Sequence, residues 1–220
     1  MTDSKLVEQV VSEPVLSPVD RVSEMLFGLF MALTFVGAVA VAEETVDVMF
    51  KAALGCNLAW GLVDAVMHLV RTVTERGRSL TLVRGVREAA DAATANRLIE
   101  NSLARPVAGL VSSTEIDAIR GRIIALPSVP ARPTLCWNDV LAALGIFLIV
   151  VASTFPVVLP FLFIQDAKLA NTVTRAIALT MLFLGGLALG RFAGYGSLKL
   201  GFMMAGLGTL LVMAVIALGG

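Results

Sequence analysis

The sequence is short of charge, histidine and cysteine. Of its 220 residues, 15% are charged and 57% are hydrophobic, and 17 basic residues balance 17 acidic ones to a net charge of zero. Because about a quarter of the residues of a soluble domain are charged, this composition argues against a soluble protein and is typical of an integral membrane protein. Zero net charge also gives no reason to expect a nucleic-acid partner.

The scarcity of histidine and cysteine limits the possible chemistry. Cys56 and Cys136 are the only cysteines, and they lie in or beside different apolar runs. Without a CxxC spacing, they are predicted to be small buried hydrophobes rather than a disulfide or a metal pair. There is one histidine, no nucleophile–base–orienter set and no glycine-rich phosphate loop after a strand. An enzyme and a bound cofactor are therefore not expected.

Long apolar runs are abundant. Five of them reach or approach the ~20 residues that a helix needs to cross a bilayer. Backbone polar groups in lipid must be satisfied within their own segment, so each run is predicted to be a helix. We therefore expect an all-α membrane protein with five transmembrane helices. The runs cover residues 25–42, 48–70, 140–164, 172–190 and 200–218.

The basic residues predict the orientation. Ten arginines fall within residues 71–133, and a five-span plan places Lys5, Arg21, Arg191 and Lys199 on the same side. The positive-inside rule makes this side cytoplasmic, which also predicts a cytoplasmic N-terminus. The chain then divides into a cytoplasmic N-terminal tail (1–20), transmembrane helices one and two (21–72), a small cytoplasmic helical insert (73–133) and transmembrane helices three to five (134–220).

The insert is predicted to be a helical hairpin. Residues 79–104 carry apolar residues at helical spacing and form its first piece. The second piece begins at Ser112, with Glu115 at capping-box spacing. The second transmembrane helix is expected to continue past Val70, because no residue breaks it before Gly77.

Glu88 and Asp91 in the insert are a candidate metal-binding pair. They are three residues apart, a spacing at which two side chains on a helix are neighbours and could share a cation. The arginines of the insert outnumber its acidic residues ten to six, however. The alternative is a solvated, partly ion-paired face near anionic lipid headgroups.

Asp64 in the second span and Glu24 near the cytoplasmic end of the first are the leading candidate site residues. An ionisable group at a span centre costs ~2.5–3.5 kcal/mol or more, so it usually faces a partner or a water-filled path. One helical stripe of the second span carries Asn57, Trp60, Asp64 and His68. By helical rise, Asp64 lies ~9 Å from the inner end of its span, so it is expected to converge with Glu24 there.

His68, Met31 and Met67 are further candidate metal ligands. Carboxylates together with an imidazole and a thioether suit a borderline divalent ion such as Fe²⁺ or Mn²⁺. Carboxylates that lose the metal can also take up protons, which supplies a coupling chemistry. The alternative for His68 is an interfacial histidine at the cytoplasmic edge, and the alternative for both methionines is plain packing.

Glycines and prolines in the later spans leave two pairs of alternatives open. Gly185, Gly186 and Gly190 in the fourth span, with a matching set of small residues in the fifth, permit close helix approach. This approach serves either packing inside one bundle or a dimer seam. Pro156 and Pro160 free backbone carbonyls in the third span, which leads either to a packing kink or to a transport pathway.

Three stretches of the chain resemble the vacuolar iron transporter family. VSEMLFGLFMALT (22–34) looks like its first-helix motif, and ALGIFLIVVASTFPVVLPF (143–161) is similar to its third helix with paired prolines. GGLALGRFAGYGSLKLGFMMAGLGTLLVMAVIALGG (185–220) looks like its last two helices and their basic connector. The resemblance implies a homodimer of five-helix subunits that exports Fe²⁺ or Mn²⁺ from the cytoplasm in exchange for protons. If the source is bacterial, the implied location is the cell (inner) membrane.

The resemblance also assigns positions to the candidate site. Glu24 stands where the family has its first-helix aspartate, and Asp64 stands where its second helix has a glutamate. Trp60, however, occupies roughly the place of the second-helix methionine, and the insert lacks the family's repeated ExxE pairs. The leading hypothesis is a proton-coupled exporter of Fe²⁺ or Mn²⁺. The alternative is a non-transporting membrane scaffold or regulatory protein with a degenerate transport site.

Overall fold

The structure, a computed structural model, describes residues 18–41, 45–103, 108–194 and 196–217. Within these residues there is no β-strand, which confirms the all-α prediction. The helices are α1 (Pro18–Val41), α2 (Val46–Glu88), α3 (Ala92–Ser102), α4 (Ser113–Ile124), α5 (Trp137–Val158), α6 (Pro160–Phe163), α7 (Ala167–Ala193) and α8 (Ser197–Ala217).

Four of these helices, α2, α5, α7 and α8, are long and apolar enough to cross a membrane. They coincide with the second to fifth predicted spans and indicate a multi-pass membrane protein. The first predicted span, 25–42, falls on α1 as far as residue 41, and its last residue lies outside the described part of the chain.

The packing divides the chain into two compact units. The apolar unit contains residues 18–68 and 137–217, and the arginine-rich unit contains Leu69–Cys136. In the apolar unit, α1 packs against α5, α7 and α8, and α7 packs along α8. One core cluster contains Leu26, Leu29, Ala32, Leu33, Val157, Ala178 and Leu182. A second core cluster contains Val36, Val46, Met49, Ala53, Val158, Phe161 and Ala170.

The glycines of α7 and α8 let the two backbones approach closely. A Cβ atom on Gly186 would lie 2.7 Å from the carbonyl oxygen of Leu200, and one on Gly190 would lie 2.5 Å from the Cα of Ser197. On α8, a Cβ on Gly201 would meet Leu187 at 2.9 Å. These glycines therefore pack within one chain, which is the first of the two alternatives that the sequence left open.

The third predicted span is two helices rather than one. α5 contains Pro156 and ends at Val158, and α6 begins at Pro160. Proline has no N–H to bond the carbonyl four residues earlier, and its fixed φ suits the first position of a new helix. The prediction of one helix over 140–164 was wrong because Pro160 starts a helix of its own.

α2 is longer than the sequence predicted. It passes through Gly77 and ends only at Glu88, so residues 79–88 belong to α2 and not to a separate first piece of the insert. The chain restarts as α3 because the side chain of Asp91 caps its N-terminus and accepts a hydrogen bond from the backbone N–H of Thr94 at 2.7 Å. The prediction of one helical piece over 79–104 was therefore wrong.

The arginine-rich unit has a small apolar core of its own. Val86 of α2, Ala95 and Ile99 of α3, and Ile116 of α4 are all buried together. α4 begins with the predicted capping box: Ser112 accepts from the backbone N–H of Glu115, whose carboxylate accepts from the backbone N–H of Ser112 at 2.7 Å. This pairing satisfies two donors that a helix start leaves open.

Two arginines of this unit hold the proline-rich segment before α5. Arg84 donates to the carbonyl oxygens of Pro130 and Ala131 at 2.6 and 2.5 Å, and Arg76 donates to that of Thr134 at 2.7 Å. Prolines remove backbone donors from this segment, and the guanidinium groups satisfy the carbonyls that remain. At least two of the arginines that set the predicted orientation therefore also stabilise the fold.

The carboxylates that cap the helices of this unit should make the unit less stable at acidic pH. Hydrogen bonds from Thr94, chiefly its backbone N–H, lower the pKa of the exposed Asp91 carboxyl, and hydrogen bonds from Ser112, again chiefly the backbone N–H, lower the pKa of Glu115. A carboxyl whose pKa is lower in the folded state stabilises it above the unfolded-state pKa, which is about 4 for both residues. That contribution disappears as the pH falls through the folded-state value.

We expect α3 and α4 to lose protection from hydrogen exchange below about pH 4, after correction for the intrinsic pH dependence of exchange. The matched variant is Asp91→Asn with Glu115→Gln, because Asn and Gln accept the same hydrogen bonds without titrating. Its protection should stay constant over the same pH range. Equal losses in the wild type and in this variant would contradict the assignment.

Candidate functional site

The register of α1 and α2 brings Glu24 and Asp64 to the same level of the apolar unit. The rings of Phe27 and Trp60 are in edge contact with centroids 6.4 Å apart, and Val36 packs in one cluster with residues of the first turns of α2. The two helices are therefore antiparallel. Glu24 lies three residues before Phe27 and Asp64 lies four after Trp60, which is ~4.5 and ~6 Å of rise in the same direction.

The two acidic side chains also lie on neighbouring faces. Residues three and four apart share a face of a helix, so Glu24 shares the face of Phe27 and Asp64 shares the face of Trp60. Both acidic residues are half-buried, and Oδ2 of Asp64 has no contact with solvent. Glu24, Asp64 and His68 each have interaction partners within the protein. The contact of Phe27 with Trp60 is compatible with the expected convergence of Glu24 and Asp64, which stays a prediction.

His68 extends the acidic pair by one turn. It follows Asp64 at i+4 on the same face of α2, is half-buried, and is the last residue of the apolar unit along this helix. This position at the edge of the apolar unit fits an interfacial histidine as well as a ligand.

The two candidate methionines lie away from the acidic pair. Met67 is 51% exposed on α2, so its thioether faces outward from the unit. Met31 is half-buried, but it lies seven residues beyond Glu24 on α1, which is ~10 Å of helical rise. Met31 is therefore not at the level of Glu24, and Met67, although only three residues after Asp64, is largely exposed.

Glu88 and Asp91 do not form the helical pair that the sequence suggested. Glu88 is the last residue of α2, and Asp91 is the N-cap of α3 with one oxygen engaged by Thr94. The i, i+3 geometry of one helix is absent at this position because the chain changes helix between the two residues. Among the described residues, no group of three His, Cys, Asp or Glu side chains is arranged to hold a metal ion.

A buried polar layer follows the acidic pair along the bundle axis. Asn57 is 3% exposed, and it lies midway between Gly61, which faces Val151, and Ala53, which packs with Val158. Asn57 is therefore level with residues 153 and 154 of α5. It lies two turns from Asp64, which is ~10 Å of rise.

Ser153 and Thr154 supply the α5 side of this layer. Both hydroxyls donate to the carbonyl oxygen of Val150, at 2.9 and 2.8 Å, and both side chains are buried. Each hydroxyl oxygen keeps lone pairs that can accept a hydrogen bond or coordinate a cation. Gly28 of α1 packs against them, since a Cβ there would lie 3.3 Å from Cγ2 of Thr154. The Ser-Thr pair inside an apolar run is a sequence signal that could have identified this layer.

Asp139 is a buried acidic residue that the sequence pattern did not single out. It is 8% exposed, lies in the first turn of α5 and has interaction partners in the protein. A carboxylate in the first turn is stabilised by the helix dipole, so a structural role explains it. Its position at the head of an apolar run is a recognisable helix-start signal.

The two cysteines do not form a disulfide. Cys56 is half-buried in α2, and Cys136 is exposed just before α5. The prediction against a disulfide is confirmed, although Cys136 is not the buried hydrophobe that the sequence suggested.

The fold and the position of these polar groups define the class of the chain as an all-helical, multi-pass membrane protein with ionisable and hydroxyl side chains inside its apolar unit. No protein-family model matches the sequence, and no curated protein matches it.

Proposed function

We propose that this protein is a proton-coupled transporter that exports a divalent metal ion, Fe²⁺ or Mn²⁺, from the cytoplasm. The observation that carries the proposal is the contact of Phe27 with Trp60, from which we infer that Glu24 and Asp64 lie near one level of the apolar unit. Ionisable groups in such surroundings are expensive unless a partner or a transported ion uses them. The resemblance to the vacuolar iron transporter family supports the same conclusion.

The proposed topology has five spans, with α1 as the first. The N-terminus and the arginine-rich unit are cytoplasmic, because fourteen of the 17 basic residues lie on that side. Glu24, Asp64 and His68 then lie toward the cytoplasmic end of the bundle. The homodimer and the cell membrane implied by the resemblance belong to the same proposal.

The proposed mechanism uses alternate occupation of the acidic pair. One divalent ion and two protons carry the same charge, so their exchange would leave the net charge of the site unchanged. The ion would next meet the layer of Asn57, Ser153 and Thr154, whose oxygens are ligands of the hard type. Glu88 and Asp91 have no part in this path, since Asp91 serves to cap α3.

A second candidate function is a non-transporting scaffold or regulatory protein. It is favoured by the outward position of Met67 and by Trp60, which stands near the place of a methionine in the family that the chain resembles. The engagement of Arg76 and Arg84 in structural hydrogen bonds also suits a unit built for stability or partner binding.

A transport assay separates the two candidates. We expect the full chain in liposomes to move Mn²⁺ or Fe²⁺ across the membrane when a pH gradient is imposed, and to move protons in the opposite direction when a metal gradient is imposed. Protein-free liposomes and an ionophore that collapses the pH gradient are the controls. Metal flux no greater than in protein-free liposomes would support the scaffold.

A further inference from the structure

One turn of α7 carries three polar side chains whose buried atoms have no hydrogen-bond partner. These atoms are Oδ1 of Asn171, Oγ1 of Thr174 and Nε of Arg175. Buried polar atoms in proteins are almost always bonded, and exceptions point to a missing water, ion or ligand. Three such unbonded atoms within five residues therefore indicate a place where another molecule binds.

The surroundings of these side chains are apolar. Thr174 is fully buried on the α7 stripe that also carries Ala170, Ala178 and Leu182. Ala170 belongs to one core cluster and Ala178 to the other, so Thr174 lies between the two. Asn171 and Arg175 are half-buried beside it. A guanidinium group in such a position is costly unless an anion accompanies it.

The three side chains form a matched set of donors. Positions i, i+3 and i+4 share one face of a helix. The Nε–H of Arg175 and the hydroxyl of Thr174 can donate, and a half-turn of the Asn171 amide presents its NH₂ group at the position of Oδ1. The positive charge of Arg175 would repel a cation. Its guanidinium group can bind two oxygens of a carboxylate or phosphate at once, so the three side chains suit an oxyanion.

We propose that Asn171, Thr174 and Arg175 form a binding site for a phosphate-type oxyanion. The oxyanion can come from solution or from a lipid headgroup, because Arg175 lies eight residues, or ~12 Å, from the start of α7. The site is separate from the acidic pair: Gly185, ten residues further along α7, faces Met25 and Leu26 next to Glu24, which is ~15 Å of rise from Arg175. The proposal holds whether or not the chain transports metal.

Binding of inorganic phosphate to the full chain in a sugar-based detergent without phosphate groups tests the site. At constant ionic strength set with chloride, phosphate should raise the unfolding temperature measured by tryptophan fluorescence. In a second arm, phosphatidylglycerol added to the same detergent micelles should give the same increase without inorganic phosphate if a lipid headgroup is the source. A response in either arm supports the site and identifies the source of the oxyanion.

Four variants make the test specific. Arg175→Gln should raise the phosphate concentration needed for a given increase in unfolding temperature about tenfold or more. Arg175→Lys should have a smaller effect, because Lys keeps the charge but not the planar guanidinium group. Thr174→Val keeps the volume and removes only the hydroxyl, so it should weaken the response while leaving the fold intact. Lys168→Gln, an exposed cation two turns earlier on α7, should respond like the wild type.

Two results would overturn the proposal. The first is an absence of any increase with phosphate or with phosphatidylglycerol in the wild type. The second is a response of Arg175→Gln and Thr174→Val equal to that of Lys168→Gln, which would assign the effect to general charge.

Discussion

Asp64→Asn and Glu24→Gln should each reduce the proposed proton-coupled metal transport on the order of 10²-fold, the scale for loss of a positioned proton-transfer group. Both changes preserve the shape of the side chain and remove its negative charge. Because the two residues lie at one level of the apolar unit, we expect them to act as one site. The double variant should therefore be little worse than either single variant, since effects within one functional unit are not additive.

The chain provides a matched control for this experiment. Asp47 also lies on α2, but its side chain is 70% exposed and forms an ion pair with Lys51 at 2.6 Å. Asp47→Asn makes the same chemical change outside the proposed site, and it should transport like the wild type. Additive losses from Glu24→Gln and Asp64→Asn would mean that the two residues act separately, and wild-type transport by Asp64→Asn would remove it from the mechanism.

Replacement of Gly186 or Gly190 by alanine should destabilise the apolar unit by about 1–3 kcal/mol each, the range for overpacking a filled interior. The atoms that a new methyl group would meet are backbone atoms of α8, at 2.7 Å from Gly186 and 2.5 Å from Gly190. A backbone cannot rotate away as a flexible side chain does. α7 and α8 would have to separate, which would break the packing that joins them.

Gly206→Ala is the control for the glycine variants. Gly206 lies on α8, and no other atom would come within 4 Å of its Cβ. Its replacement should leave the unfolding temperature unchanged or slightly higher, because alanine favours helix formation more than glycine does. Thermal unfolding of the purified protein in detergent, followed by size-exclusion chromatography, measures all three variants. Equal unfolding temperatures for all three variants would contradict the prediction, because they would show that the close contact of α7 with α8 does not require glycine.

The helices and most of their positions could be predicted from the sequence, because apolar length and helix-start residues are local properties. Ser112 and Glu115 specified the start of α4 through side chains that bond their own backbone. The errors occurred at helix ends inside long helical patterns. Gly77 does not stop α2, since a single glycine costs only about 1 kcal/mol in a helix, whereas the N-cap of Asp91 and the missing N–H of Pro160 do divide the chain.

Only part of the candidate site could be predicted from the sequence. Glu24 and Asp64 could be selected because charge is rare in apolar runs, but helical periodicity does not tell which residues of two helices face each other. Tertiary contacts, such as that of Phe27 with Trp60, set that register. The same limit applies to Met67, whose spacing suggested a ligand and whose packing turns it outward.

The sequence by itself therefore determined that this is a helical membrane protein and which of its residues are too polar for their surroundings. These properties follow from the transfer of single side chains and single helices into lipid, which involves no distant part of the chain. The tertiary structure decided that the glycines of α7 and α8 pack against each other's helix, and that Thr174 is buried between two apolar clusters. Those properties depend on how helices distant in sequence pack, and packing is set by the shapes of both partners.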